Sequence, residues 1–109
     1  MKAELTMGKN YWVEEYPKSK MMRGTYLGEN KGIHFFIDKK PSKNPNYIIV
    51  EDHWSIFKNN TVSYTPISSS SISVIPKDKI REIEDNRIKS GLLKILNNQK
   101  YILAGPTQP

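Results

Sequence analysis

The sequence predicts a mainly β domain: a small antiparallel barrel or meander of five to six strands, followed by a short C-terminal helix. Three observations carry that reading. Apolar and polar residues alternate through most of the chain up to residue 75. Short polar loops rich in Gly, Asn, Pro and Ser punctuate the alternation. Beyond Asp85 the apolar spacing changes from two to three and four.

Alternation places successive side chains on opposite faces of a strand. In Ile33-His34-Phe35-Phe36-Ile37, the residues Ile33, Phe35 and Ile37 share one face. In Tyr47–Phe57, Ile48, Val50, Trp54 and Ile56 share a face, with an interruption at Asp52. Thr61–Ile67 and Ser71–Ile75 alternate β-branched, aromatic and polar residues. Asn10–Tyr16 and Met21–Leu27 complete the set.

The loops follow from turn chemistry. Gly28-Glu29-Asn30-Lys31-Gly32 supplies residues that tolerate positive φ and reads as a hairpin loop. Lys58-Asn59-Asn60-Thr61 reads as a second hairpin turn. Asp38–Asn46 is a polar loop with two prolines, and Ser68–Ser71 is a short connection. Pro66 places the end of its strand at a sheet edge.

In Val74-Ile75-Pro76-Lys77-Asp78-Lys79-Ile80-Arg81-Glu82-Ile83, a strand stops at proline, a one-turn segment follows, and Ile80 to Ile83 reads as another short strand. That succession resembles the strand, 3₁₀ turn and strand that end SH3-like barrels. It is a resemblance of architecture over about ten residues and names no family. Asp85-Asn86 then offers a cap for a helix in which Ile88, Leu92, Ile95 and Leu96 fall on one face. Gly91 costs such a helix about 1 kcal/mol. The rival is a hairpin turning at Asn97-Asn98-Gln99, and a longer helix from Pro76 is a further alternative. Residues 1–103 read as one domain and 104–109 as a frayed tail.

Composition narrows the function classes. There is no cysteine, hence no disulfide, thiolate metal site or cysteine nucleophile. The opening residues lack the apolar run of a signal peptide, and no stretch approaches the roughly 18 apolar residues of a membrane span. A cytoplasmic protein is expected, with no membrane partner. The net charge is +6. Basic residues number fourteen Lys and three Arg, and Lys, Asn and Ile together supply 36 of 109 residues. AT-rich codon usage writes that mixture into any protein, so the charge is only partly a statement about partners.

Catalytic motifs are absent: no phosphate-binding Gly loop, no His-Glu-x-x-His, no nucleophile elbow. Adjacent carboxylates such as Glu14-Glu15 and Glu84-Asp85 face opposite ways on a strand and make poor acid/base pairs. Glu51, His53 and His34 form the one metal set that can be written down, and a solvated strand face is the preferred reading of Glu51 and His53. The expected protein is therefore not an enzyme, and has no metal and no cofactor.

What remains is a binding module. Residues 1–43 carry +4 and residues 77–109 carry +3, against −1 between them. Trp12, Tyr16, Lys18, Lys20, Arg23, Phe36, Lys39, Lys40, Lys43, Lys77 and Arg81 are the candidate contact residues. Lysines would meet phosphates and exposed aromatics would stack on bases. Nucleic acid, as RNA or single-stranded DNA, is the leading expectation. The alternative is a protein-interaction or accessory module, of a kind that a phage or mobile element could encode against a host protein, using the Asp38–Asn46 loop.

Overall fold

Two residues separate Val50 from His53, yet those residues lie in strands near opposite ends of one sheet. The computed structural model describes residues 4–15, 20–40, 43–51, 53–65 and 72–104, with the backbone alone at 20, 53 and 99–104. Its strands are β1 (Asn10–Glu15), β2 (Lys20–Asn30), β3 (Ile33–Asp38), β4 (Asn46–Val50), β5 (His53–Phe57), β6 (Thr61–Thr65) and β7 (Ile72–Pro76). One helix, α1 (Asn86–Ala104), follows a 3₁₀ segment at Lys77–Glu82. The sheet order is β5-β6-β1-β2-β3-β4-β7.

In a flat sheet, β4 and β5 would stand five strand spacings apart, about 24 Å. The link from Val50 to His53 spans at most about 11 Å. The sheet must therefore curl until its two ends approach. No hydrogen-bonded pairing joins β5 to β7 among the described residues, so the curl stays open rather than closing into a barrel.

The mainly β reading with a C-terminal helix holds. Seven strands stand among the described residues, because the Tyr47–Phe57 run divides into β4, which ends at Val50, and β5, which starts at His53. One pairing departs from the antiparallel expectation: β1 runs parallel to β6, with Trp12 opposite Thr61 and Val13 opposite Val62. The strand expected at Ile80–Ile83 does not form. Those isoleucines are three apart, the period of a 3₁₀ turn, and both pack against the helix-side core. Pro66 and the Ser68–Ser71 connection lie outside the described residues, as do 105–109 of the expected tail.

The predicted Gly28–Gly32 loop narrows to a two-residue turn. Lys31 and Gly32 take φ of 51° and 82°, the left-handed pair of a tight hairpin. The Lys58–Thr61 turn forms as expected, with Asn59 and Asn60 both left-handed. A register shift between Tyr26 and Gly28 marks a bulge in β2. Tyr26 stays on the inner face while Leu27 and Gly28 both turn to the helix side, Gly28 toward Ile95 of α1.

Each face of the sheet has its own core. The inner face holds Tyr11, Val13, Tyr26, Phe36, Ile48, Val50, Trp54, Val62 and Tyr64, drawn from β1 to β6. The outer face is covered in part by α1, where Ile88, Leu92 and Ile95 bury against Leu27, Ile33, Phe35 and Ile49. Asp85 caps the helix: the Arg87 N–H donates to its Oδ1 at 2.9 Å. The Arg87 guanidinium holds the Asp85 carboxyl below the usual carboxylate range. Gly91 has a structural reason, since a Cβ there would stand 3.1 Å from the Phe35 ring.

A polar chain crosses the inner core. The Trp54 indole N–H donates to Nε2 of buried His34 at 2.8 Å. An indole N–H can only donate, so Nε2 accepts and the ring proton sits on Nδ1. Nδ1–H then donates to the Tyr26 hydroxyl oxygen, with 3.0 Å between nitrogen and oxygen. Burial, with Glu29 and Tyr11 nearby, pushes Tyr26 well above the usual phenol range and keeps it neutral.

Two substitutions test this packing. A Cβ at Gly24 would meet the Phe36 Cβ at 2.9 Å. Gly24→Ala should therefore lose about 1–3 kcal/mol in denaturant unfolding. Trp54→Phe removes the donor to His34 and should cost about 1–3 kcal/mol, more than Trp12→Phe on the exposed face; equal losses would deny the hydrogen bond its role.

Candidate nucleic-acid interface

The pleat of β1 decides which residues reach solvent. Tyr11, Val13 and Glu15 point inward and are buried. Asn10 and Trp12 point outward, and Trp12 is 42% exposed. Across β2, Trp12 stands opposite Arg23, Asn10 opposite Thr25, and Glu14 opposite Met21. The helix packs chiefly over the other end of this face, toward Gly28 and Asn30. The Trp12 end is left open.

There the surface is concave. A hollow of about 750 Å³ is lined by Trp12, Arg23, Thr25, Ile37, Lys39 and Lys40, among others. The Arg23 guanidinium carbon lies 5.8 Å from the Trp12 ring centroid, within cation–π range. This contact holds the guanidinium plane in place over an exposed aromatic. The Thr25 hydroxyl donates to Asn10 Oδ1 at 2.6 Å on the same face. Asp38 Oδ1 accepts the Lys40 backbone N–H at 3.0 Å, so it orders the start of the loop. No ion pair engages Arg23, Lys39 or Lys40 among the described residues.

Four of the eleven residues singled out from the sequence meet here: Trp12, Arg23, Lys39 and Lys40. Lys43 and Lys77 are exposed at the same end of the sheet, where the Lys77 N–H donates to the Pro45 carbonyl. Asn44 and Asp78 tie the loop to the 3₁₀ segment through two hydrogen bonds of 3.1 Å. Arg81 lies further along that segment, and its carbonyl accepts from Lys89 Nζ. These three do not line the hollow. Phe36 is not a surface residue: it is 1% exposed and packs against Tyr11 and Tyr26. Its neighbour Phe35 faces α1, so a run of two phenylalanines fills both cores at once. Tyr16 and Lys18 lie outside the described residues, and only the backbone of Lys20 is described.

Phe57 is the residue sequence reasoning missed. Pairing runs from Phe57 to Thr61, from Thr61 to Trp12, and from Trp12 to Arg23. All four therefore form one row across β5, β6, β1 and β2. Phe57 is 56% exposed and Met21, in the next row, is 46% exposed. The available signal was its parity: in Tyr47–Phe57 it falls opposite the Trp54 and Ile56 face.

The metal set Glu51, His53 and His34 loses its member His34, both of whose nitrogens are engaged by Tyr26 and Trp54. Glu51 pairs with Arg87 at 2.9 Å. The side chain of His53 lies outside the described residues. No known protein family, curated protein or solved structure matches this chain.

The two tryptophans differ enough to check this geometry in solution. Trp54 is 6% exposed against 42% for Trp12. Acrylamide should quench one component of the emission readily and the other poorly. Trp12→Phe should abolish the accessible component and Trp54→Phe the shielded one.

Proposed function

We propose that this protein is a non-catalytic module that binds nucleic acid, as RNA or single-stranded DNA, on the open outer face of β1 and β2. The observation that carries the reading is the convergence of Arg23, Lys39 and Lys40 around exposed Trp12. Unpaired cations attract phosphates over long range, and an exposed indole offers a stacking surface to any base. Arg23 serves both ends, since its planar fork suits a phosphate and its face suits a ring.

A protein ligand is the alternative, and the exposed Trp12, Met21 and Phe57 are side chains that such surfaces also use. Charge favours nucleic acid. The open hollow carries three cations against one carboxylate, in a chain of net charge +6. A cytoplasmic setting suits a cysteine-free chain. No helix of the described residues is long and apolar enough to cross a membrane.

Three phosphate contacts on a single strand give a slope of about −2 for log affinity against log salt. Affinity for an oligonucleotide should then fall about twentyfold between 50 and 200 mM salt. Lys39→Ala with Lys40→Ala should flatten the slope to about −0.7 with no loss of folding. Binding that ignores salt would overturn the reading.

A further inference from the structure

We infer that the ligand is an extended single strand whose separated bases rest on Trp12 and Phe57 together, crossing strands β2, β1, β6 and β5 at right angles; this rests on the nucleic-acid reading above. The register puts Phe57, Thr61, Trp12 and Arg23 in one row on the outer face. Phe57 and Trp12 are among the largest exposed apolar side chains of the molecule. A single β6 residue, Thr61, separates them. Two strand spacings set them about 10 Å apart.

That distance selects the form of nucleic acid. Neighbouring bases on one strand of a duplex are about 3.4 Å apart along the axis and stacked on each other. Such bases have no free face to offer and cannot reach two platforms so far apart. An extended strand can place one base on each ring and carry its backbone over the floor between them. The floor between the two rings is small and hydroxyl-bearing, with Thr61 in this row and Ser55 and Ser63 in the next, a row that continues through Glu14 and Met21 on β1 and β2. A protein ligand that covered the two rings would find few apolar partners there, and would bury Arg23 beside them.

Cations stand at both ends of the row. Arg23 lies against Trp12, with Lys39 and Lys40 beyond it in the same hollow. Lys58, exposed, follows Phe57 directly in the chain. The phosphates outside the two stacked bases therefore meet positive charge on either side. The inner face cannot supply a second such platform, because its aromatics are buried.

Fluorescence anisotropy with the full chain tests this, using a labelled oligouridylate, a labelled oligothymidylate and a hairpin duplex of matched length. Phe57→Ala and Trp12→Ala should each weaken single-strand binding about tenfold and leave the salt slope as in the wild type. Leu93→Ala, an exposed apolar side chain on α1, should change nothing. The duplex should bind more weakly and show no response to Phe57→Ala. Should an alanine variant unfold, Phe57→Leu keeps an apolar side chain without the ring and should show the same loss. Wild-type affinity in Phe57→Ala or Phe57→Leu, with weakened binding in Lys39→Ala, overturns the platform and leaves the nucleic-acid reading standing. Duplex binding as tight as single-strand binding overturns the platform too. No binding of any oligonucleotide by the wild type overturns both and turns attention to a protein ligand.

Discussion

The two-residue link between Val50 and His53 is the constraint on which the molecule is built. It joins the sixth strand of the sheet order to the first. A chain this short cannot bridge a flat sheet, so the sheet has to bend. Bending brings Ile48 and Val50 of β4 into one apolar cluster with Trp54 of β5 and Val62 and Tyr64 of β6. Burying that cluster supplies the driving force, at roughly 25 cal/mol for each Å² removed from water. The covalent link and the hydrophobic gain reinforce each other.

Curling also dictates where polar groups are tolerated. His34 belongs to β3 and Trp54 to β5, which stand four places apart in the sheet order. Only in a curled sheet do they meet at 2.8 Å. A buried imidazole without partners would be costly, and Tyr26 and Trp54 between them engage both of its nitrogens. His34, one of the three residues of the metal set that the sequence allowed, is therefore a structural member of the core. The parallel pairing of β1 with β6 belongs to the same geometry, because it joins the β5–β6 hairpin to the β1–β4 meander.

The outer face, by contrast, is left half covered. Helix α1 is held over the Gly28–Ile33 end by its capped start at Asp85 and by Gly91, which lets it approach Phe35 closely. It leaves the row from Phe57 to Arg23 without a roof. An exposed tryptophan and an exposed phenylalanine on one row carry a desolvation gain that no part of the described chain collects. Arg23, Lys39 and Lys40 stand beside them, and on that convergence the proposed nucleic-acid binding rests. This is why the functional reading rests on the exposed side of the sheet rather than on its buried polar groups.

The sequence by itself determined the local elements. Alternation in Asn10–Tyr16, Gly32–Asp38 and Thr61–Ile67 marks strands, Lys58–Thr61 marks a turn, and Asp85-Asn86 with Ile88, Leu92, Ile95 and Leu96 marks a capped amphipathic helix. Trp12, Arg23, Lys39 and Lys40 are among the eleven candidate contact residues that the sequence offers. These readings are legible because period, turn chemistry and capping act over a few residues. Only the tertiary structure decided that Phe36 is core, that Ile80 lies on a 3₁₀ turn with Ile83 just beyond its end, and that Phe57 joins Trp12. Parity along a strand names two faces but does not say which one a helix will cover. Cross-strand rows depend on pairing between segments nearly fifty residues apart, such as Trp12 with Thr61, which no local pattern encodes.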